Sequence, residues 1–239
     1  MWGGRDLDKV AERRLLVFGR LPEPRYVKTR LSPRLTPGAC AALYEAFLDD
    51  AMRLAPRGAN VELWVPVRPR AVERLEARYP AARVRLQPEG SLGDRLAMAF
   101  ACAFREGTGR AVAIGSDHPT LPAEFVARAF RALTTRELVL GPTRDGGYYA
   151  IGLRRAVWPA AERLFADAPW SEAALCDWTR ASAAELGLAP AELPTWYDVD
   201  RPEDLSRMEG DLLEGSATAR AWARLGLARG AAPDQEGDL

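Results

Sequence analysis

The stretch AVAIGSDHP, residues 111–119, is an apolar run that predicts a buried strand, and it ends at polar side chains. Pro119 stops the strand because proline has no N–H to give to a sheet. Ligands of open α/β sheets bind outside the carboxyl ends of the strands, where the carboxylate of Asp117 could hold a hard cation against a phosphate. The alternative is a strand-to-helix turn in which Ser116 and Asp117 cap the next helix.

Apolar runs on both sides of this stretch predict more strands, at residues 15–19, 61–67, 83–87 and 138–141. Helical patterns lie between them, at about 36–55, 70–79, 92–106 and 122–133. This alternation is typical of an α/β fold with a mostly parallel sheet and helices on both faces. After residue 142 we expect a strand at 148–153, an extended segment at 193–199, and helices at 157–165, 171–186 and 202–214.

Composition predicts a soluble protein of the cytoplasm. Lys plus Arg and Asp plus Glu each number 33, and a formal net charge of zero argues against charge-driven binding of nucleic acid. The three cysteines form no C-x-x-C pair, so we expect buried free thiols. No signal-peptide core is present and no run approaches the roughly 18 apolar residues of a membrane helix, so no membrane partner is expected.

The loop GRLPEPRYVKTR, residues 19–30, follows the first strand and supplies three cations, Arg20, Lys28 and Arg30. Guanidinium forks and a lysine ammonium suit the oxygens of a di- or triphosphate. An ordinary solvated basic loop is the alternative. Lys9 and Lys28 are the only lysines of a chain that otherwise uses arginine, which favours a specific role for Lys28.

The segment SLGDR, residues 91–95, begins a predicted helix. Gly93 would let the backbone approach a ligand closely, with Asp94 and Arg95 in the first helical turn. Alternatively, Ser91 is the N-cap and Asp94 completes its capping box. The two roles are compatible.

Carboxylates at a second place could complete a cation site with Asp117. Asp198 and Asp200, in YDVDRPEDL, are spaced to lie on one face of an extended strand. Asp200 could instead cap the following helix, in which Asp204 is expected as a first-turn charge. His118, the only histidine, should point away from the face that Asp117 uses, and it could contact a phosphate or substrate or face solvent.

Two aromatic segments are candidates for binding the second substrate. Glycines in RDGGYY permit a close approach, and tyrosine or tryptophan can stack on a sugar. The alternatives are a hairpin turn and a core tryptophan. The candidate residues are Asp145, Gly146, Gly147, Tyr148, Trp170 and Ser171.

Six segments in this order resemble the bacterial DUF2064 family of radical-SAM- and selenodomain-associated transferases, of the arsenosugar-biosynthesis glycosyltransferase type. They are LLVFGRLPEPRYVKTRL, LGDRLAMAFACAF, AVAIGSDHPTLP, LVLGPTRDGGYYAIGL, PWS and WYDVDRPEDL. The resemblance implies the nucleotide-diphospho-sugar transferase (GT-A) fold over residues 14–213, with 1–13 as an extension and 214–239 as a C-terminal helix and frayed tail. That helix could cover its own core or the partner in a homodimer.

The same resemblance implies the roles of the site residues. Asp117 and Asp200 would hold Mg²⁺ or Mn²⁺, with Asp198 as a further candidate ligand, and Lys28 and Arg30 would bind nucleotide phosphates. Together with the loop analysis, this gives the nucleotide-binding candidates Arg20, Lys28, Thr29, Arg30, Gly93, Asp94, Arg95 and Ser116.

The chain departs from the family pattern at three places. The family loop usually reads P-G-[RK]-V-K-T-R, whereas Arg25 and Tyr26 stand here in place of the Gly-Arg pair. If position 25 needs a positive φ, Arg25 is strained. His118 stands where a small residue is common, and Arg201 where threonine is usual.

The leading hypothesis is a metal-dependent glycosyltransferase that takes a nucleotide-sugar and a small-molecule acceptor. The alternative is a nucleotidyltransferase that joins an NTP to a phosphorylated small molecule and releases pyrophosphate. A sugar-nucleotide sensor without catalysis is a third hypothesis. The sequence does not distinguish glycosyl from nucleotidyl transfer, and it does not identify the base, the sugar or the acceptor.

Overall fold

A sheet of seven strands forms the centre of the computed structural model, which describes residues 12–68, 70–170 and 172–227. The strands are β1 (Arg13–Phe18), β2 (Asn60–Val65), β3 (Arg83–Leu86), β4 (Arg110–Gly115), β5 (Leu138–Pro142), β6 (Tyr148–Arg154) and β7 (Ala191–Glu192). Their order across the sheet is β3-β2-β1-β4-β6-β5-β7. Only β6 runs antiparallel to its neighbours, so the predicted mostly parallel α/β sheet is confirmed.

Helices cover both faces of the sheet. They are α1 (Pro37–Met52), α2 (Ala71–Arg78), α3 (Leu92–Arg105), α4 (Ala123–Ala132), α5 (Leu175–Glu185), α6 (Asp204–Gly210) and α7 (Ala217–Arg224). Buried side chains of α1, α2 and α4 share one apolar core, and those of α3 and α5 share a second core with the other face. In the ranges that the structure describes, no helix is both long and apolar enough to cross a membrane.

Several helices of the second half are shorter than the sequence pattern predicts. The predicted helix at 157–165 is instead two 3₁₀ turns, Arg155–Val157 and Ala160–Leu164, separated by Pro159, whose ring and missing N–H break a helical ladder. Helix α5 begins at Leu175 rather than at 171. Helix α6 ends at Gly210 rather than at 214, because glycine is a poor helix former.

Beyond β7 the chain leaves the sheet while staying extended. Residues 193–199, predicted as one extended segment, make separate contacts instead of a continuous ladder. The N–H of Leu193 donates to Leu140 O at 2.8 Å, and the N–H of Val199 donates to Asp117 O at 2.9 Å. The second bond fastens this segment to the end of β4.

Helix α7 packs on α1 of its own chain. Its residues Ala221 and Trp222 are buried in a third apolar cluster together with α1 residues such as Phe47. The carboxylate of Asp50 accepts hydrogen bonds from the first turn of α7, including one of 2.8 Å from Thr218 N. The inner face of this helix therefore covers the chain's own core. The predicted tail after residue 227, and residues 1–11 of the predicted extension, lie outside the described residues.

The three cysteines are free thiols. Cys40 and Cys176 are buried, as predicted, whereas Cys102 is partly exposed on α3. Its sulfur lies 3.2 Å from the Arg105 guanidinium.

A buried ion pair lies beside the C-terminal end of α3, where Glu106 is the C-cap. Arg14 of β1 is 5% exposed and Glu62 of β2 is 2% exposed. Arg14 Nη1 donates to Glu62 Oε1 at 2.7 Å and to Glu106 Oε2 at 2.6 Å. Trp64 Nε1 donates to the second oxygen of Glu62 at 3.1 Å. Because burial deprives both charges of water, each depends on these partners.

Candidate functional site

Asp117 lies directly after β4, at the edge of the sheet where the parallel strands end. Since Phe18 and Gly115 are paired in register, the loop after β1 begins beside the loop that carries Asp117. The N-cap of α4 is Pro122, so Asp117 does not cap that helix. Its carboxylate instead pairs with the side chain of Lys28.

Lys28 connects the loop after β1 with two carboxylates. Its Nζ lies 2.6 Å from Asp117 Oδ1 and 2.7 Å from Asp200 Oδ1, and the side chain is only 4% exposed. The ammonium also lies 5.7 Å from the centre of the Phe47 ring. Burial opposes its charged form, but the two carboxylates outweigh burial and raise the pKa of Lys28. The lysine is therefore a fixed positive charge.

Asp198 and Asp200 have different electrostatic states although their side chains contact each other. Burial and the charge of Asp200 raise the pKa of Asp198 to about 6. Burial opposes ionisation of Asp200 as well, but Lys28 outweighs it and lowers the pKa of Asp200. The helix-capping role belongs to Asp204, whose Oδ2 accepts from Asp200 N at 3.0 Å and from Arg201 N at 2.7 Å. The Asp200 carboxylate is thus left for Lys28.

These groups line a polar cavity of about 420 Å³. Its other lining residues come from the loop after β1 and from α1: Arg20, Tyr26, Val27, Thr29, Arg30 and Tyr44. Arg30 Nη1 lies 4.0 Å from Asp200 Oδ2 and its side chain is 69% exposed. The structure therefore brings together Arg20, Lys28, Thr29, Arg30, Asp117 and Asp200, as the sequence predicts.

Tyr44 is a cavity residue that the sequence analysis missed. Its hydroxyl accepts from Arg20 N at 2.8 Å and shares a hydrogen bond of 2.7 Å with Ser116 Oγ. Ser116 is 3% exposed, so it supports Tyr44 from beneath instead of facing a nucleotide. The available signal was a tyrosine among the buried positions of α1, where a hydroxyl needs a partner.

The loop after β1 needs a positive φ at position 25, so Arg25 is strained there. Arg25 has φ 65° and Lys28 has φ 50°, both in the left-handed region that favours glycine. Two guanidinium groups lie over the ring of Tyr26: Cζ of Arg68 is 3.9 Å from the ring centre and Cζ of Arg20 is 5.8 Å from it. Tyr26, which lines the cavity, thus contributes to a rim that carries the cations of Arg20 and Arg68.

A second cavity of about 460 Å³ lies near the other end of the strands, beside Val61 and Tyr79. It is lined by two arginines. Arg78 is paired with Asp49 through two hydrogen bonds of 2.9 and 2.6 Å, and Arg53 Nη1 lies 3.6 Å from Asp50 Oδ1. These guanidinium groups have carboxylate partners within the protein. In the first cavity, by contrast, the cations Arg20, Lys28 and Arg30 outnumber the carboxylates of Asp117 and Asp200. Charge, not volume, distinguishes the candidate site.

The donor atoms of the first cavity fit a hard divalent cation. Oxygens of Asp117 and Asp200 converge on one point, the Lys28 Nζ, and both side chains are partly open to solvent, at 45% and 37% exposure. Mg²⁺ is held by one or two carboxylates plus phosphates and waters. In the described residues, no group of three or more acidic, histidine or cysteine side chains forms a complete metal cage. Asp198 contacts Asp200 without forming such a group with Asp117.

Residues 93–95, predicted to contact nucleotide, make contacts within the protein. Ser91 and Asp94 form the capping box, with Asp94 N to Ser91 Oγ at 3.1 Å and Ser91 N to Asp94 Oδ2 at 2.8 Å. Arg95 Nη1 donates to Gln87 Oε1 at 3.2 Å. Gly93 is buried, and a Cβ there would lie 2.2 Å from the carbonyl oxygen of Phe165. The close approach is therefore to the chain itself, and none of the three predicted residues lines the cavity.

Replacing Gly93 by alanine is expected to lower the free energy of unfolding by about 2 kcal/mol, because the added methyl overpacks the contact with Phe165. Gly38 is the matched control. It is the second residue of α1 as Gly93 is of α3, and nothing lies within 4 Å of a Cβ there. Urea unfolding of both variants checks this. A stable G93A protein that had lost only nucleotide affinity would support ligand contact at Gly93 instead.

The turn between β5 and β6 is a hairpin that packs on the segment before α5. Asp145 is exposed and accepts hydrogen bonds from Thr143 Oγ1 and, at 3.3 Å, from Gly147 N. Gly146 has φ 89°, and a Cβ there would lie 1.9 Å from Ala173 O. The glycines thus serve the turn itself. The negative charge of Asp145 nevertheless acts on Asp198. It raises the pKa of Asp198, although burial and the charge of Asp200 raise it more.

The aromatic residues proposed for substrate binding belong largely to the core. The Tyr148 hydroxyl oxygen is buried, and its ring meets Trp170 edge-on at 6.3 Å. Trp170 also packs against Gly93. Neither aromatic residue lines the cavity that contains Lys28. Ser171 lies outside the described residues.

His118 points away from the cavity, as its position next to Asp117 predicts, but it does not face solvent. It is 9% exposed, and its Nδ1 lies 3.0 Å from Tyr197 O. Burial lowers the pKa of the imidazole below its usual value. Contact with Tyr149 at 5.9 Å between ring centres completes its surroundings. His118 therefore does not line the cavity that contains Lys28 and Asp117.

Comparison with known proteins gives a family match. Residues 51–172 match the model of DUF2064, described as an uncharacterized protein conserved in bacteria. A comparison with curated proteins finds no match.

Solved structures share the fold over most of the chain. A candidate nucleotide-diphospho-sugar transferase from Desulfovibrio desulfuricans G20 is 31% identical with a TM-score of 0.82, covering 90% of this chain and 96% of its own. A cytidylyltransferase from Leptospira borgpetersenii is 14% identical, with a TM-score of 0.56 and coverage of 89% and 94%. A 4-diphosphocytidyl-2C-methyl-D-erythritol synthase from Anaerococcus prevotii is 9% identical, with a TM-score of 0.54 and coverage of 88% and 97%. The last two show the fold alone.

Proposed function

Because this chain belongs to the DUF2064 family, we propose that it is a transferase that uses a nucleotide-activated donor and Mg²⁺ or Mn²⁺. The leading reaction is glycosyl transfer from a nucleotide-sugar to a small-molecule acceptor, by analogy with the 31% identical relative. The observation that carries the proposal is the convergence of the Asp117 and Asp200 carboxylates in a cavity rimmed by Arg20 and Arg30.

The chemistry asks the protein for positioning and charge neutralisation. An acceptor hydroxyl oxygen attacks the anomeric carbon, the bond from that carbon to the diphosphate breaks, and the products are the glycosylated acceptor, a nucleoside diphosphate and a proton. Arg20, Lys28 and Arg30 bind the diphosphate oxygens and offset the charge that develops as they leave. Asp117 and Asp200 would hold a divalent cation, which would supply Lewis-acid stabilisation of the departing diphosphate. No covalent enzyme intermediate is required.

Nucleotidyl transfer is the second candidate, and the rim around Tyr26 favours it. Arg68 and Arg20 lie over that ring and add cations beyond Lys28, which suits the extra phosphate of a triphosphate. A substrate phosphate would attack the α-phosphorus of the NTP, and pyrophosphate would leave. Both candidates use the same carboxylates.

Product analysis with Mn²⁺ tests the proposal. UDP-, GDP-, ADP- and dTDP-sugars and NTPs are first screened for a rise in the melting temperature of the protein. The nucleotides that raise it are then assayed for turnover with acceptors. Release of a nucleoside diphosphate from a nucleotide-sugar supports glycosyl transfer, and pyrophosphate from an NTP supports nucleotidyl transfer. Binding without turnover identifies a sensor, and binding of no nucleotide contradicts the proposal.

A further inference from the structure

The Lys28 ammonium occupies the point on which both candidate metal ligands converge. Its Nζ is 2.6 Å from Asp117 Oδ1 and 2.7 Å from Asp200 Oδ1. The side chain reaches this point from a strained backbone position, φ 50° and ψ 35°, immediately before a 3₁₀ turn at Thr29–Leu31. Lysine is a compact point charge with three donors, which suits it to bridge two carboxylates.

An ammonium and a divalent cation exclude each other from such a point. Mg²⁺ holds its oxygens at about 2.0–2.1 Å, so a metal bound by Asp117 and Asp200 would take the place of Nζ. Repulsion between a divalent and a monovalent cation is strong at such short range. Binding of the metal thus requires Lys28 to leave its two partners.

The charges that are in ion-pair contact at the two carboxylates balance before any ligand arrives, and Arg20 adds a further cation to the cavity lining. Asp117 and Asp200 contribute two negative charges, and Lys28 and Arg30 contribute two positive charges. A divalent cation alone would leave an excess of two positive charges, which the phosphates of a nucleotide would offset. Those phosphates would also give the displaced ammonium new partners.

We propose that Lys28 is a placeholder cation: it holds the carboxylates in the nucleotide-free protein and is displaced to the phosphates when metal and nucleotide bind together. This inference rests on the proposed function and adds to it an order of binding. The metal enters with the nucleotide and binds weakly before it. Lys28 is then the positioning residue that keeps Asp117 and Asp200 aligned in the free protein.

Titration of the nucleotide-free protein with Mn²⁺, followed by the electron paramagnetic resonance signal of free Mn²⁺, tests the inference. Lys28→Met is expected to bind Mn²⁺ about tenfold tighter than the wild type, because the competing cation is gone. Arg30→Met is the matched control, since it removes a cation 4.0 Å from Asp200 that does not lie between the carboxylates. Its effect is expected to be about twofold, through the field alone.

The outcomes separate this inference from the function on which it rests. If Lys28→Met binds Mn²⁺ no tighter, or Arg30→Met gains as much, the placeholder role is overturned, while nucleotide-dependent Mn²⁺ binding by the wild type would still support the transferase. If Asp117→Asn does not abolish the gain in the Lys28→Met background, the ion binds elsewhere and the metal site itself is wrong. Lys28→Gln, which keeps a polar group, replaces Lys28→Met should the latter fail to fold by circular dichroism.

Discussion

Asp117→Asn is expected to lower turnover about a hundredfold or more and to abolish the Mn²⁺-dependent part of nucleotide binding. The amide keeps the shape of the side chain but removes the charge that would hold the cation. Metal ions contribute several kcal/mol of charge stabilisation at a transferring group, and about 3 kcal/mol corresponds to a hundredfold in rate. Because Asp117 is 45% exposed, the fold should tolerate the change.

Turnover and the nucleotide-induced rise in melting temperature, each with and without Mn²⁺, are the measurements. Asp94→Asn is the matched control, since that carboxylate caps α3 and does not line the cavity. It should lower the stability slightly, because the capping box loses its charged acceptor, and leave the Mn²⁺ dependence unchanged. If Asp117→Asn retained Mn²⁺-dependent nucleotide binding, the assignment of Asp117 as a ligand would be wrong.

Arg14→Met is expected to lower the free energy of unfolding by about 3–5 kcal/mol, because it leaves Glu62 charged and buried. Glu62 is 2% exposed and would retain Trp64 and Arg85 as partners, but would lose its contact of 2.7 Å with Arg14. For a protein of this size the loss corresponds to a fall of roughly 10 °C in melting temperature. Thermal and urea unfolding measure it.

Two comparisons make the Arg14 prediction specific to burial. Arg131 pairs with Glu124 on the surface, where both side chains are more than 60% exposed, so Arg131→Met should cost less than about 1 kcal/mol. In the double variant Arg14→Met, Glu62→Met, the uncompensated charge is gone, and much of the stability should return. Equal losses for Arg14→Met and Arg131→Met would contradict the argument.

The sequence predicts the parallel core and the charged loops because both depend on local patterns. The apolar run before Gly115 and the glycine after Phe18 mark strands whose carboxyl ends meet at one edge. Parallel pairing then brings Lys28 and Asp117 to the same place. Spacing by two residues likewise predicts that Asp198 and Asp200 share a face, and they do contact each other.

What the sequence could not predict depends on distant partners. Arg14 reads as a charge outside the first apolar run, yet Glu62 and Glu106 allow it to be buried within β1. Gly93 reads as a glycine that admits a ligand, and only the fold shows that Phe165 fills the space. In each case the deciding atom is tens of residues away along the chain.

The hydrogen bond from Val199 N to Asp117 O joins segments that are far apart in the sequence. Contacts between such distant segments have a loop-closure cost in conformational entropy, and they tend to form after local structure. During synthesis, β1 to β4 are made well before residue 199, and the site cannot close until Asp200 has been made as well. Binding at this site therefore distinguishes the folded protein from nascent chains that lack Asp200.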